Sequence, residues 1–238
     1  MVMPRQLPLN IRLRDEATFD NFWVGESTAN VSLVAALRAL AGPGTGEPFL
    51  YLWGRTGSGR SHLLQAACHG AREQGLQSQY LPLAELAEAE PAALLEGLEE
   101  VDLLCLDDLQ QVLGQRPWDE ALFHLYNRLR ERQGRLVLAA GSAPRELPLQ
   151  VLADLRSRLA ATAVYRVQPL DDGEKALALQ WRARRRGLEM SDEVALYILQ
   201  RGSREPRDLF DCLEQLDRLS LAEKRRLTIP FVRAALEA

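Results

Sequence analysis

The sequence predicts an α/β protein: a doubly wound parallel sheet with helices on both faces, followed by a small all-helical domain. Three observations carry this. The runs FLYLW (49–53), VDLLCLDDL (101–109) and RLVLAAGS (135–142) are apolar at consecutive positions, as in strands buried on both faces. Helical patterns separate them, so strand and helix alternate up to about Gln168. After QPLDD (168–172) the strands stop. The reading divides the chain into an extended segment (1–20), an α/β domain (21–168) and a helical domain (169–238).

The stretch before Phe22 has two prolines and no helical period, and reads as extended and peripheral. From Ser27 or Thr28, either of which can cap, Val31, Val34, Ala35 and Leu37 recur at helical spacing until GPGTGEP (42–48) breaks the pattern. FLYLW is a strand that runs into a glycine loop. SHLLQAACHGAREQG (61–75) is a helix ended by Gly75. LQSQYLPL (76–83) is a strand, and 83–100 a helix broken at Pro91. VDLLCLDDL is a strand terminated by two acids, 119–134 an amphipathic helix, and RLVLAAGS a central strand.

In the helical domain, 173–187 is one helix. A second is capped by Ser191, with Asp192 and Glu193 in its first turn, where the helix dipole favours them. Pro206 opens a third, with Leu209, Phe210, Leu213 and Leu216 on one face. Ser220 and Glu223 have the spacing of a capping box for a further helix.

Composition narrows the function. The chain has 238 residues, 47% hydrophobic and 26% charged, as expected of an ordinary globular protein. A net charge of −4 argues against generic nucleic-acid binding and leaves room only for a local basic patch. Cys68, Cys105 and Cys212 are odd in number, lack metal spacing and point to a reducing compartment. No signal-like or membrane-spanning apolar run is visible, so the expected location is the cytoplasm, with no membrane partner.

Four features carry chemistry. Gly54-Arg55-Thr56-Gly57-Ser58-Gly59-Arg60-Ser61 is one residue from the phosphate-binding loop G-x-x-x-x-G-K-[ST], between an apolar strand and a helix. Its N–H groups could wrap a phosphate at the helix start, and Ser61 could hold Mg²⁺. A plain glycine-rich strand-to-helix turn is the simpler alternative. Second, Asp107 and Asp108 end a strand, where carboxylate can serve Mg²⁺ and its waters. Asp107 is the metal-side acid, and Asp108 stands where a water-activating glutamate is usual. By itself, an acid pair at a strand end is equally well loop capping. Third, Arg158 in DLRSRL, with Arg156 before it, is on its own most simply a solvated residue. Fourth, Arg207 at a helix start opposes the dipole and calls for an anionic partner: Glu205, Asp211 or a nucleotide phosphate.

Together these residues resemble the AAA+ ATPases of the bacterial initiator (DnaA) family. TFDNFWVGEST (18–28), GRSHLLQAAC (59–68), DLRSRL (154–159), PRDLF (206–210) and LTIPFV (227–232) extend the resemblance over essentially the whole chain, within the Hda-like regulatory branch. The resemblance implies an AAA+ P-loop sheet followed by a helical lid, binding ADP or ATP with Mg²⁺. Phe22, Trp23 and Val24 would line the adenine pocket, Gly57, Ser58, Gly59, Arg60, Ser61 and His62 would cradle the phosphates, and Arg207 would reach the nucleotide from the lid. Arg158 would be an arginine finger acting in trans on ATP bound to DnaA. Gln6, Leu7 and Leu9, in QLPLNI (6–11), resemble a peptide that docks on the polymerase sliding clamp; for a bare hexapeptide a strand or staple is the commoner explanation, and its place on an N-terminal extension of this domain favours the clamp.

Beside the resemblance, no sequence-specific DNA reading is expected and self-association stays open; little or no turnover is expected of the chain alone from Arg60 and Asp108 together, a longer planar fork and a shorter acid than the usual lysine and glutamate. Arg60 replaces the usual lysine, Asp108 the usual glutamate, and Gly141 or Ser142 falls where a polar sensor belongs, leaving that role open. Two rivals remain: an autonomous ATPase or helicase loader of the DnaC type, and a clamp adapter with a vestigial pocket. Elsewhere, RARRRG (182–187) reads most simply as a solvated face, Trp53 and Cys105 as core, and His62, His69 and His124 as lacking metal spacing.

Overall fold

The computed structural model describes residues 13–14, 17–43, 46–203, 205–223 and 225–237. The clamp-type motif Gln6, Leu7 and Leu9 lies outside them, as does most of the extended segment. The chain divides into two compact units. One holds the described residues up to Phe22 with Ser27–Thr56 and Arg60–Gln168; the other holds Trp23–Glu26, Gly57–Gly59 and the residues from Pro169 on.

In the first unit the elements run α1 (Thr28–Ala41), β1 (Phe49–Trp53), α2 (Arg60–Glu73), β2 (Ser78–Pro82), α3 (Leu83–Leu86) and α4 (Pro91–Leu94). They continue through β3 (Leu103–Asp107), α5 (Arg116–Glu131), β4 (Arg135–Ala140), α6 (Ala153–Ala160) and β5 (Ala163–Arg166). The five strands form one sheet in the order β2-β3-β4-β1-β5. Every pair is parallel, with Tyr51 opposite Leu138 and Cys105 opposite Val137.

Alternating residues of each strand feed opposite faces. Leu50, Leu52, Leu103, Cys105, Val137 and Ala139 pack against Leu33 and Leu37 of α1 and Leu63, Leu64 and Cys68 of α2. Tyr51, Leu104, Leu106, Leu136 and Leu138 pack on the other face against Trp118, Leu122 and Leu125 of α5 and Leu155 and Leu159 of α6. Two covered faces explain the unbroken apolar strands, and each fully buried leucine stabilises the fold by about 1.5–3 kcal/mol.

Local details refine the sequence reading. Ser27 caps α1, its side chain accepting from Asn30 N–H. The buried stripe of α1 is Asn30, Leu33, Leu37 and Leu40, whereas Val31 is exposed. Of the residues read as periodic, Leu37 lies in that stripe and Val34 packs beside it; Asn30 could not be read as part of it because it is polar, and it exchanges hydrogen bonds with the backbone N–H and C=O of Gln168. Gly75, at φ +77°, ends α2 in the left-handed conformation that suits glycine. The segment 83–100 forms two single turns and a 3₁₀ turn rather than one broken helix. Strand β5 has half-exposed residues and was not legible as an apolar run.

The second unit contains α7 (Asp172–Arg185), α8 (Asp192–Arg201), α9 (Pro206–Glu223) and α10 (Ile229–Glu237) around Leu179, Val194, Ile198, Leu209, Leu213, Leu216, Phe231 and Val232. Asp171 and Glu174 form a reciprocal capping box on α7, and Ser191 caps α8. No helix starts at Ser220, where a capping box was expected. α9 runs on to Glu223, and the Ser220 hydroxyl donates to Arg225 C=O near the end of that helix. Arg182 is not solvated: it is 8% exposed, with its guanidinium 3.6 Å from the Phe210 ring centroid. Among the described residues no helix is long and apolar enough to cross a membrane.

Candidate functional site

Because all strands are parallel, the loops after β1, β3 and β4 gather at one edge of the sheet, where α/β sheets bind ligands. The loop after β1 is anchored by Gly54 N–H, which donates to Ala140 C=O of β4. Gly57 and Gly59 lie at φ +77° and +97°, a left-handed backbone that side chains oppose and that anion-binding turns commonly use. The Ser58 hydroxyl between them is buried without a hydrogen-bond partner among the described residues. The 14-residue α2 begins immediately after, presenting its unpaired first N–H groups. An orphaned hydroxyl flanked by two left-handed glycines fits a phosphate group.

Arg60 opens α2 and is 8% exposed. Its Nη1 donates to Gly54 C=O at 2.8 Å and its Nη2 to Asp108 Oδ1 at 3.3 Å. Asp108 sits at φ 54°, an uncommon conformation for a non-glycine residue. A second donor, Gln110 Nε2, reaches the same oxygen at 2.8 Å. Gln110 Oε1 accepts from Gly141 N–H at 3.0 Å, so one amide side chain joins the loops after β3 and β4. Gly141 has no side chain at the expected sensor position. Neighbouring Ser142 is held through its backbone, its C=O accepting from the buried Tyr51 hydroxyl at 3.0 Å. Burial pushes the Tyr51 phenol well above its ordinary range.

Asp107 is 1% exposed. Its Oδ2 accepts from the Tyr80 hydroxyl at 2.8 Å and its Oδ1 from Asp108 N–H at 2.9 Å. Burial raises the Asp107 carboxyl above the ordinary carboxylate range; the Ser61 hydroxyl, the Tyr80 hydroxyl and the Asp108 N–H pull the other way. An acid beside the Ser61 hydroxyl at a strand end is the donor set that a hard divalent cation takes with nucleotide. Among the described residues no group of three or more His, Cys, Asp or Glu side chains could hold a metal unaided.

The remaining sequence-predicted residues are distributed over the two units. In the first, the Phe22 and His62 rings are 5.6 Å apart, and His62 Nε2–H donates to Thr18 C=O at 2.8 Å. In the second, Trp23 packs against Trp181 at 5.4 Å, and Val24 is half-buried. Arg207 is 74% exposed, with Asp211 3.9 Å away on the next turn of α9. Arg158 is a half-buried residue of α6 that forms no ion pair among the described residues. Trp53 is half-buried beneath the Arg166 guanidinium, which faces it from the paired position on β5. Gln110 and Tyr80 were missed, since a lone glutamine after an acid pair and a tyrosine inside a strand carry no pattern of their own.

The sheet order, the glycine loop after β1, the acids ending β3 and the helical unit define an AAA+ protein of the P-loop type. The chain belongs to the bacterial DnaA ATPase-domain family, whose model matches residues 13–165; residues 172–236 match the model for the lid domain of Hda. Domain III of the replication initiation protein DnaA from Thermotoga maritima is similar in fold. It is 22% identical with a TM-score of 0.75, over 95% of this chain and 98% of that one. AMPPCP-bound DnaA from Aquifex aeolicus is 28% identical with a TM-score of 0.70, over 87% of this chain and 67% of that one. The RuvB Holliday junction branch migration motor of Thermotoga maritima, 18% identical with a TM-score of 0.63 over 90% of this chain and 69% of that one, shares the fold.

Proposed function

We propose that this protein is a nucleotide-binding regulator of replication initiation that docks on the DNA polymerase sliding clamp and stimulates ATP hydrolysis by DnaA, so inactivating the initiator. The observation that carries the reading is the combination of a DnaA-type ATPase unit with an Hda-type lid. The AMPPCP held by the Aquifex aeolicus relative supports nucleotide binding at the loop of residues 54–61. In this reading the loop N–H groups and the Ser58 hydroxyl take the phosphates, Phe22, Trp23 and Val24 the base, and Arg207 acts from the lid. Ser61 and Asp107 serve Mg²⁺, which when bound neutralises phosphate charge.

The nucleotide is ADP rather than a turned-over ATP. Arg60 is already engaged by Gly54 and Asp108, and Asp108, an acid shorter than the usual glutamate, takes both Arg60 and Gln110 on its Oδ1, an arrangement that supports poor turnover. The same engagement counts against the autonomous ATPase or DnaC-type loader. Arg158 acts on the partner's ATP instead. Its guanidinium lacks an internal carboxylate partner among the described residues, and such a finger contributes about 10³–10⁵ in rate. Gln6, Leu7 and Leu9 supply the clamp contact.

The test is ATP hydrolysis by DnaA in the presence of clamp loaded on DNA. The wild-type chain should stimulate it and Arg158→Ala should not, while still binding clamp. A Leu7→Ala/Leu9→Ala variant should lose clamp binding and stimulation together. Full stimulation by Arg158→Ala would refute the finger, and steady ATP turnover by the chain alone would favour the autonomous enzyme.

A further inference from the structure

The buried Tyr80 hydroxyl has a use that the fold alone does not require. Tyr80 is the central residue of β2 and is 7% exposed. It lies opposite Cys105, two residues before Asp107, in the parallel pairing of β2 with β3. Its hydroxyl donates to Asp107 Oδ2 at 2.8 Å. The tyrosine is itself held: the Gln65 side chain hydrogen-bonds to it. Gln65 Oε1 accepts from Arg14 N–H at 2.9 Å, which fixes that amide from its other end. A chain of bonds thus runs from Gln65 on α2 through Tyr80 on β2 to Asp107 at the end of β3.

A buried tyrosine could satisfy its hydroxyl on any backbone carbonyl. This one is spent on the acid that the site reading assigns to the cation. A carboxylate offers about four lone-pair positions. Tyr80 takes one on Oδ2 and Asp108 N–H one on Oδ1, which fixes the rotamer; the Ser61 hydroxyl takes a third, and the carboxylate keeps acceptor capacity for a cation or its water. Outer partners of this kind set the orientation of metal-binding carboxylates.

We propose that Tyr80 is a positioning residue for the divalent cation bound with nucleotide, holding Asp107 in the orientation that receives the cation or its waters. This rests on the nucleotide-site reading above. Tyr80→Phe removes the hydroxyl and nothing else, so the loss falls on the cation rather than on the phosphate loop.

The full chain and its Tyr80→Phe variant are titrated calorimetrically with ADP, in excess EDTA and across a Mg²⁺ series. The variant should need about 10–100-fold more Mg²⁺ for half-maximal enhancement, the range typical of outer partners of metal ligands. Its ADP affinity in EDTA should match the wild type. An unchanged Mg²⁺ requirement overturns the proposal. A double-mutant cycle separates positioning from a general loss of packing: in an Asp107→Asn background, Tyr80→Phe should add nothing, and an equal shift in both backgrounds also overturns it. A wild-type chain that binds no ADP in either condition refutes the nucleotide reading itself. Mg²⁺-dependent binding left untouched by Tyr80→Phe refutes Tyr80 alone.

Discussion

Arg60 and Asp108 are ion-paired at 3.3 Å between the first residue of α2 and the residue after β3, with Arg60 8% exposed. The planar guanidinium spans two acceptors, Gly54 C=O and the Asp108 carboxylate, which a single ammonium does not match. Arg60→Lys restores the usual loop sequence, yet it should leave one buried acceptor short of a donor. We expect the nucleotide-free variant to be less stable by about 1–3 kcal/mol. Urea unfolding measures this, and an unchanged midpoint at constant slope would show that the guanidinium bridge contributes nothing.

The arginine at position 60 was legible in the sequence, and so was the question it raised; its partners were not. Apolar runs and glycine spacing report on faces and turns, which is why the central strands, the phosphate loop and the lid helices could be read directly. Gln110, Tyr80 and Asn30 act through side-chain hydrogen bonds that reach across 31, 27 and 138 residues of sequence. No local period encodes such a contact. The same limit explains Ser220, whose spacing to Glu223 imitates a helix start although the buried Leu209, Leu213 and Leu216 stripe carries α9 past it. Arg182 was misread because a run of arginines suggests water, while its side chain stacks on Phe210.

The three cysteines should differ sharply in reactivity. Cys68 and Cys105 are fully buried and hydrogen-bonded to each other between α2 and β3, whereas Cys212 on α9 is half-buried. Burial pushes the Cys212 thiol above its ordinary pKa, and the thiolate is the reactive form. Raising the pH therefore speeds labelling, and the half-maximal rate falls at a higher pH than for an exposed thiol. Iodoacetamide labelling followed by intact mass should add one group slowly to the native chain and three after denaturation. Rapid native addition of three groups would contradict the packing of α2 on β3.

Asp119 links fold stability to Arg158. This carboxylate is 1% exposed and accepts from Gly114 N–H at 3.0 Å and Leu152 N–H at 2.9 Å. Leu152 is the residue immediately before α6, so the first turn of α5 fixes where the Arg158 helix starts. Asp119→Ala strands two N–H groups and should cost about 2–4 kcal/mol in urea unfolding. Asp119→Asn keeps an acceptor and should lose less. If Arg158 acts on a partner's ATP, the alanine variant should also reduce stimulation of DnaA hydrolysis more than it reduces ADP binding at the phosphate loop. The loop is anchored by β1 and β4, while α6 depends on this carboxylate for its starting point. Equal losses in both assays would mean that Asp119 supports the whole unit rather than the placement of α6.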